Sequence, residues 1–94
     1  MNTKIEKDQW VWVIVQDPGK NEQFLGQHDQ DSDRSFIPIF LEKDEANKGL
    51  TRLKRDEKLK YEPQAILYEE ISEHASQQGF ELVVLDGNGK VLKE

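Results

Sequence analysis

The run WVWVIV, which covers residues 10–15, decides the fold prediction. Its residues are β-branched or aromatic and favour extended backbone, so the run predicts a β-strand. Alternate side chains of a strand point to opposite faces, which puts Trp10, Trp12 and Ile14 on one side and three valines on the other. Both faces of the strand are therefore apolar. A sheet built around it needs cover on both faces, or one face meets a partner.

Turn residues and apolar spacing divide the rest of the chain into five further strands and two helices. The sequences DPGK at 17–20 and DGNG at 86–89 favour chain reversal, because their glycines accept a positive φ. Gly79 stands where a helix ends in a left-handed cap. The predicted strands are 22–27, 36–41, 61–68, 80–85 and 90–92, and the predicted helices are 42–54 and 69–78.

Two residues interrupt these elements. Pro38 cannot donate to a sheet ladder, so it predicts that its strand lies at an edge or contains a bulge. Gly49 costs about 1 kcal/mol relative to alanine inside a helix and lies next to the apolar stripe of the first helix. Close packing against the sheet is one reason for a glycine at this position, and a locally weak helix is the other.

The predicted order is β-β-β-α-β-α-β-β, which indicates an α+β fold with a mixed sheet of about five to six strands and two helices. Strand–helix–strand passages cross over with a right hand, so we expect both helices on the same or neighbouring parts of one face, as a two-layer α/β sandwich. The length of 94 residues suits one domain, which we place at 9–94. Residues 1–8 are polar and are expected to form a flexible N-terminus.

Composition argues against several classes of protein. Hydrophobic residues make up 35% of the chain and charged residues 34%, as in a globular protein without a dominant chemical motif. The net charge of −6 argues against binding to nucleic acid or anionic membranes, since both depend on Lys and Arg. The absence of cysteine excludes disulfides and cysteine-ligated metals. No apolar run approaches the ~20 residues of a membrane span, so we expect a cytoplasmic protein.

Asp29, Asp31 and Asp33 have the one-three-five spacing of a calcium-binding loop. The sixth position is Arg34 rather than glycine, and the twelfth is Phe40 rather than a bidentate glutamate. The three aspartates are therefore weak candidates for a cation site, and a solvated acidic loop is the simpler interpretation. We predict no resident metal and no cofactor.

The sequence contains no recognisable catalytic arrangement. Its two histidines, His28 and His74, lie far apart and have no HxH or HxxxH partner. Glu70 and His74 stand four residues apart on one predicted helix, where local stabilisation of the helix is a simpler explanation than an acid–base couple. No Ser, Thr or Lys nucleophile has a recognisable setting beside either histidine. We therefore predict that the protein is not an enzyme.

The segments FIPIF (36–40), LEKDEANKGL (41–50), QQG (77–79) and FELVVLDGNGKVL (80–92) together form a pattern of strands, helices and a turn. This pattern resembles small bacterial α/β domains of the SseB amino-terminal type and related uncharacterised families. The resemblance covers residues 36–92 and consists of apolar spacing and turn residues. It implies an intracellular accessory or interaction domain without a known catalytic set, and it transfers no functional residue.

The functional hypothesis follows from the apolar strand. An incompletely covered sheet face favours a non-enzymatic module that binds another protein or a second copy of itself, as a homodimer. The alternative is a small-ligand or weak cation-binding module centred on the loop from Asp29 to Asp33. The contact residues expected under the first hypothesis are Trp10, Trp12, Ile14, Phe36 and Phe40.

Overall fold

The computed structural model describes residues 4–93, which fold into one mixed sheet and two helices. The α+β class is confirmed, and the sheet has seven strands rather than five or six. In chain order the elements are β1 (Trp10–Gln16), β2 (Gln23–Phe24), β3 (Gln27–Asp29), β4 (Arg34–Phe40), α1 (Lys43–Leu50), β5 (Tyr61–Leu67), α2 (Tyr68–Gln78), β6 (Glu81–Leu85) and β7 (Val91–Lys93).

β1 is paired along both of its edges. β5 runs antiparallel along its whole length on one side. On the other side, Trp12 and Val13 pair with β4, while Val15 and Gln16 pair with β2. β4 continues the sheet through a parallel pairing with β6, which pairs antiparallel with β7. Within the described residues, β5 and β7 are therefore the two outer strands.

The extra strand arises where β1 and β4 diverge. The single strand predicted at 22–27 is two short strands, of which β2 pairs with β1 and β3 pairs with β4. Leu25 and Gly26 separate them, so this segment fills the gap between the two longer strands. Pro38 lies in the interior strand β4, whose pairings show no register shift, so neither the expected edge nor the expected bulge is found there. β3 and β1 pair with successive parts of the same edge of β4, and Pro38 lies between these two parts. No strand pairs with Pro38 on that edge.

The helices pack on opposite faces of the sheet. Val11, Val13 and Val15 form a core with Ile71 of α2, whereas Ile14 and its neighbours pack beneath α1. The sheet is thus covered on both sides, and the expected placement of both helices on one face is wrong. The passage from β4 through α1 to β5 crosses β1 in one direction, and the passage from β5 through α2 to β6 returns across it. Right-handed crossovers in opposite directions place their helices on opposite faces.

Gly49 allows α1 to approach the sheet closely. A Cβ atom at this position would lie 2.4 Å from Cε2 of Phe40, so only glycine fits above that ring. Phe40 and Ile14 beneath the helix are fully buried, as is Ala46 on its inner face. Close packing against the sheet is therefore the reason for the glycine.

The N-terminal segment caps α2. Leu67 precedes the helix and supplies no side-chain cap, which leaves the first backbone N–H groups of the helix to find other acceptors. The N–H of Tyr68 donates to the carbonyl of Gln9 at 2.9 Å, and that of Glu69 donates to the carbonyl of Lys7 at 3.0 Å. Ile5 also packs against the core on this face. The predicted flexible segment 1–8 therefore includes residues that pack against the domain, while its first three lie outside the described residues.

We expect Gly49→Ala to lower the free energy of unfolding by about 1–2 kcal/mol. The new methyl group overlaps two atoms of the buried Phe40 ring, so its cost lies in the upper part of the usual range, at about 2–3 kcal/mol, and the gain in helix propensity offsets about 1 kcal/mol of it. Urea unfolding monitored by circular dichroism measures the change. Asn47→Ala, at an exposed position of the same helix, is the control and should leave stability unchanged or slightly higher. Equal stability of Gly49→Ala and the wild type would contradict the packing argument.

We expect deletion of residues 1–8 to lower the free energy of unfolding by about 1–2 kcal/mol, because it removes the Lys7 carbonyl acceptor and the packed Ile5 side chain. Thermal unfolding monitored by circular dichroism checks this. Lys7→Ala is the matched control: it removes an exposed side chain and keeps both the Lys7 backbone carbonyl and Ile5, so it should unfold near the wild-type temperature. The capping role is wrong if the truncated chain is as stable as Lys7→Ala.

Candidate interaction surface

The five predicted contact residues separate into core and surface. Ile14 and Phe40 are fully buried under α1, so they belong to the core and cannot contact a partner. Trp10 keeps 60% of its surface exposed, and Trp12 and Phe36 are partly exposed. All five residues lie on the face that α1 covers. Trp12, Ile14, Phe36 and Phe40 belong to one apolar cluster with Ala46 of α1, and Trp10 alternates with Val11 along β1 and so shares the side of Trp12. The sequence pattern identified the face, but not how much of it the helix hides.

α1 divides this face into two exposed parts. Near the start of the helix lie Trp10 and Trp12, and the Lys43 ammonium stands 5.7 Å from the centre of the Trp12 ring. Beyond the end of the helix, a groove of about 360 Å³ lies between β3, β6 and β7. Phe36, Leu85 and Val91 form part of its apolar lining.

Charged side chains border the groove. The Arg34 guanidinium on β4 donates to both carboxylate oxygens of Glu81 on β6, which ties the two parallel strands together. These hydrogen bonds from Arg34 lower the pKa of the Glu81 carboxyl below its ordinary value. Asp29 and Arg52 contribute to the same border. An apolar floor with charges of both signs at the rim is a typical composition for a protein-binding surface.

β7 forms the outer wall of the groove and is exposed along its whole length. Val91 is 49% and Leu92 is 39% exposed, which makes them, with Trp10, the large exposed apolar side chains of the described chain. In the described residues β7 pairs with β6 alone, so its outer edge carries unpaired backbone groups. Sequence reasoning predicted this strand as a hairpin arm. It did not identify it as a contact surface, because three residues give no sign of which edge they occupy.

Asp86 holds the turn that positions β7. Its carboxylate accepts hydrogen bonds from the backbone N–H groups of Asn88 and Lys90, each at 2.9 Å. The hydrogen bond from Lys90, more than the one from Asn88, lowers the pKa of the Asp86 carboxyl. The buried Gly87 donates its N–H to the Glu45 carboxylate on α1. The turn is therefore fixed both within itself and against the helix.

The acidic loop closes on itself. Oδ1 of Asp29 accepts the backbone N–H of Asp31 at 3.0 Å, and Oδ2 accepts the Ser32 hydroxyl at 3.0 Å. These hydrogen bonds, led by that of Ser32, lower the pKa of Asp29. Asp33 lies 3.3 Å from the imidazole of His28. Across residues 4–93, no three side chains of His, Asp or Glu gather in a metal-binding group, so the geometry gives the cation hypothesis no support.

No protein-family model matches the chain, and neither a curated protein nor a solved structure matches it. The resemblance to domains of the SseB amino-terminal type therefore stays a prediction. Of the helices in residues 4–93, none has the length and apolar character that crossing a membrane requires.

We expect Asp86→Asn to remove part of the pH dependence of folding stability. The folded-state pKa of Asp86 lies below the ordinary 3.8. Its stabilising contribution is therefore present above that value and is lost as the pH falls through the folded-state pKa. Urea unfolding from about pH 6 downwards should show a stability gap between wild type and variant that narrows below about pH 4.

Asp31→Asn removes the same charge from an exposed loop and serves as the control, which should retain the wild-type pH dependence. A stability gap between wild type and Asp86→Asn that is constant with pH would show that the carboxylate charge does not hold the turn. Asp86→Ala, which also removes the acceptor oxygen, should be less stable than Asp86→Asn throughout.

Proposed function

We propose that this protein is a non-enzymatic interaction module that self-associates through β7 and the groove beside it. The observation that carries the proposal is the exposure of Val91 and Leu92 on a strand whose outer edge is unpaired. Exposed apolar edge strands recruit further strands, and native proteins usually protect them. An edge strand left in this condition is a surface suited to pairing with another chain.

Both outer strands have features that limit pairing at an edge. β5 contains Pro63, which cannot donate to a ladder, and the exposed Glu62 beside it. β7 is only three residues long, contains Lys93 and pairs irregularly with β6. The two strands differ in apolar exposure: Val91 and Leu92 of β7 are exposed, whereas no large apolar side chain of β5 is. This difference supports β7 over β5 as the strand that meets a partner.

A second copy of the chain can meet this edge through a twofold axis, which sets two β7 strands antiparallel along their free edges. The ladder from β6 to β7 is irregular at Leu92, because Val91 pairs with Leu85 and Lys93 pairs with Val84. Val91 therefore lies on the face where Leu85 packs beneath α1. The groove on that face, which we call the β7 groove, is lined by Phe36 and Val91 and adds apolar area to the pairing.

The size of the surface sets the expected strength. Stable interfaces bury about 1,200–2,000 Å² in total, more than a three-residue strand supplies by itself. A net charge of −6 on each copy also opposes association. We therefore expect a reversible dimer that depends on concentration and strengthens with added salt, which screens this repulsion.

Light scattering over a concentration series tests the proposal. The wild type should rise from 11.0 kDa towards about twice that mass. Leu92→Lys should stay monomeric, because it places a charge at the centre of the strand pairing. The Leu92 side chain is exposed, so the Leu92→Lys chain should fold normally. Its circular dichroism spectrum checks this.

Trp10→Lys is the control, since it introduces the same charge at another exposed apolar residue, on β1 rather than on β7. It should dimerise like the wild type. Dissociation by Trp10→Lys and not by Leu92→Lys would move the interface to β1 and overturn the assignment to β7. A wild-type chain that is monomeric at every concentration and salt would overturn self-association itself.

A further inference from the structure

A second concavity lies on the opposite face, between α2 and the sheet. Its volume is about 820 Å³, within the range of about 300–1,000 Å³ typical of small-molecule sites. Phe24, Ile66 and Phe80 are partly exposed at its apolar surface. The buried Val13 and Val15 of β1 lie beneath them. This face therefore offers an apolar floor that α2 leaves uncovered.

We call this concavity the α2 groove. One of its walls is a row of polar side chains on α2. Glu70, His74 and Gln78 are four residues apart and line the same side of α2. The His74 ring meets Phe24 edge to face, with ring centres 4.7 Å apart, so the wall is fixed against the apolar floor. From Glu70 to Gln78 the helix rises about 12 Å, which gives the length of the groove.

The charges around the α2 groove are negative. Its lining includes the carboxylates of Glu22 and Glu70 and no Lys or Arg side chain. Glu70 lies in the first turn of α2, about 12 Å from Gln78 in the last turn, so the negative end of the helix dipole does not act at Glu70. The carboxylates therefore favour a cation over an anion.

From this combination we propose that the α2 groove binds a small organic cation: an amine that carries an apolar body about 10–12 Å long. The apolar body lies on Phe24, Ile66 and Phe80, and the ammonium group lies against the Glu70 carboxylate. A helical peptide is a poorer fit, because a 12 Å groove holds about eight helical residues, too few for a stable isolated helix. The site is independent of self-association, since it lies on the face opposite the β7 groove.

Three probes with the same chain and different heads test the proposal: octylammonium, octanol and octanoate. At about 1.3 Å per carbon, from C–C bonds near 1.5 Å, their chains match the groove in length. Titration of the full chain, followed by ¹H–¹⁵N NMR, should perturb the amide signals of Phe24, Glu70 and Gln78. The order of affinity should be octylammonium, then octanol, then octanoate.

Glu70→Gln isolates the charge. It should weaken octylammonium binding about threefold, as expected for an exposed ion pair, and leave octanol binding unchanged. Glu73→Gln removes the same charge from an exposed position of α2 outside the groove lining, and it should bind all three probes like the wild type. Ile66→Ala should weaken all three, since it removes part of the apolar floor.

The proposal is overturned if octanoate binds as tightly as octylammonium, or if the perturbed signals cluster at β7 rather than at α2. It is overturned equally if no probe perturbs the α2 groove up to its solubility limit. None of these outcomes tests dimerisation through β7, which the light-scattering experiment measures. The Leu92→Lys variant, tested with the same probes, should bind them as the wild type does.

Discussion

β1 carries apolar side chains on both faces and is paired along both edges, so the rest of the fold is arranged to keep it out of water. Val11, Val13 and Ile14 have no exposed surface. Each such side chain contributes about 1.5–3 kcal/mol by burial. Neither helix is long enough to be stable alone, since isolated helices shorter than about 12–15 residues are marginal in water. The strand and its two helices therefore stabilise one another.

The cover that the helices provide is incomplete for a geometric reason. Each face carries one helix, and a helix with its side chains is about 10–12 Å across. The sheet path of five neighbouring strands is about 19–24 Å wide at ordinary strand spacing. Each helix leaves part of its face open, and each open part is a groove with an apolar floor.

The two grooves differ in their charged borders and in their neighbours. The β7 groove has charges of both signs at its rim and an unpaired strand edge beside it, which suits a protein chain. The α2 groove has carboxylates and amides at its rim and is bounded by a helix, which suits a small cation. The Arg34–Glu81 ion pair and the turn held by Asp86 fix the walls of the β7 groove. The contact between Phe24 and His74 fixes one wall of the α2 groove against its floor.

The sequence by itself determined the class of fold, most of the strands, both helices and the turn at 86–89, because these depend on local spacing and on turn residues. It also determined that Trp10, Trp12 and Ile14 share one side of β1, since side-chain alternation is a property of any strand. Tertiary structure decided which face each helix covers, because the hand of a crossover places a helix only once the strand order is known.

Strand order also decided that Ile14 and Phe40 are buried under α1 while Val91 and Leu92 lie on an open edge. The packing of residues 5–9 against α2, and the meeting of Phe24 with His74, join residues that are more than forty positions apart in the chain. No local pattern records such contacts, because they arise from the summed packing of the whole domain. The residues at both grooves were visible in the sequence, and their assembly into surfaces was not.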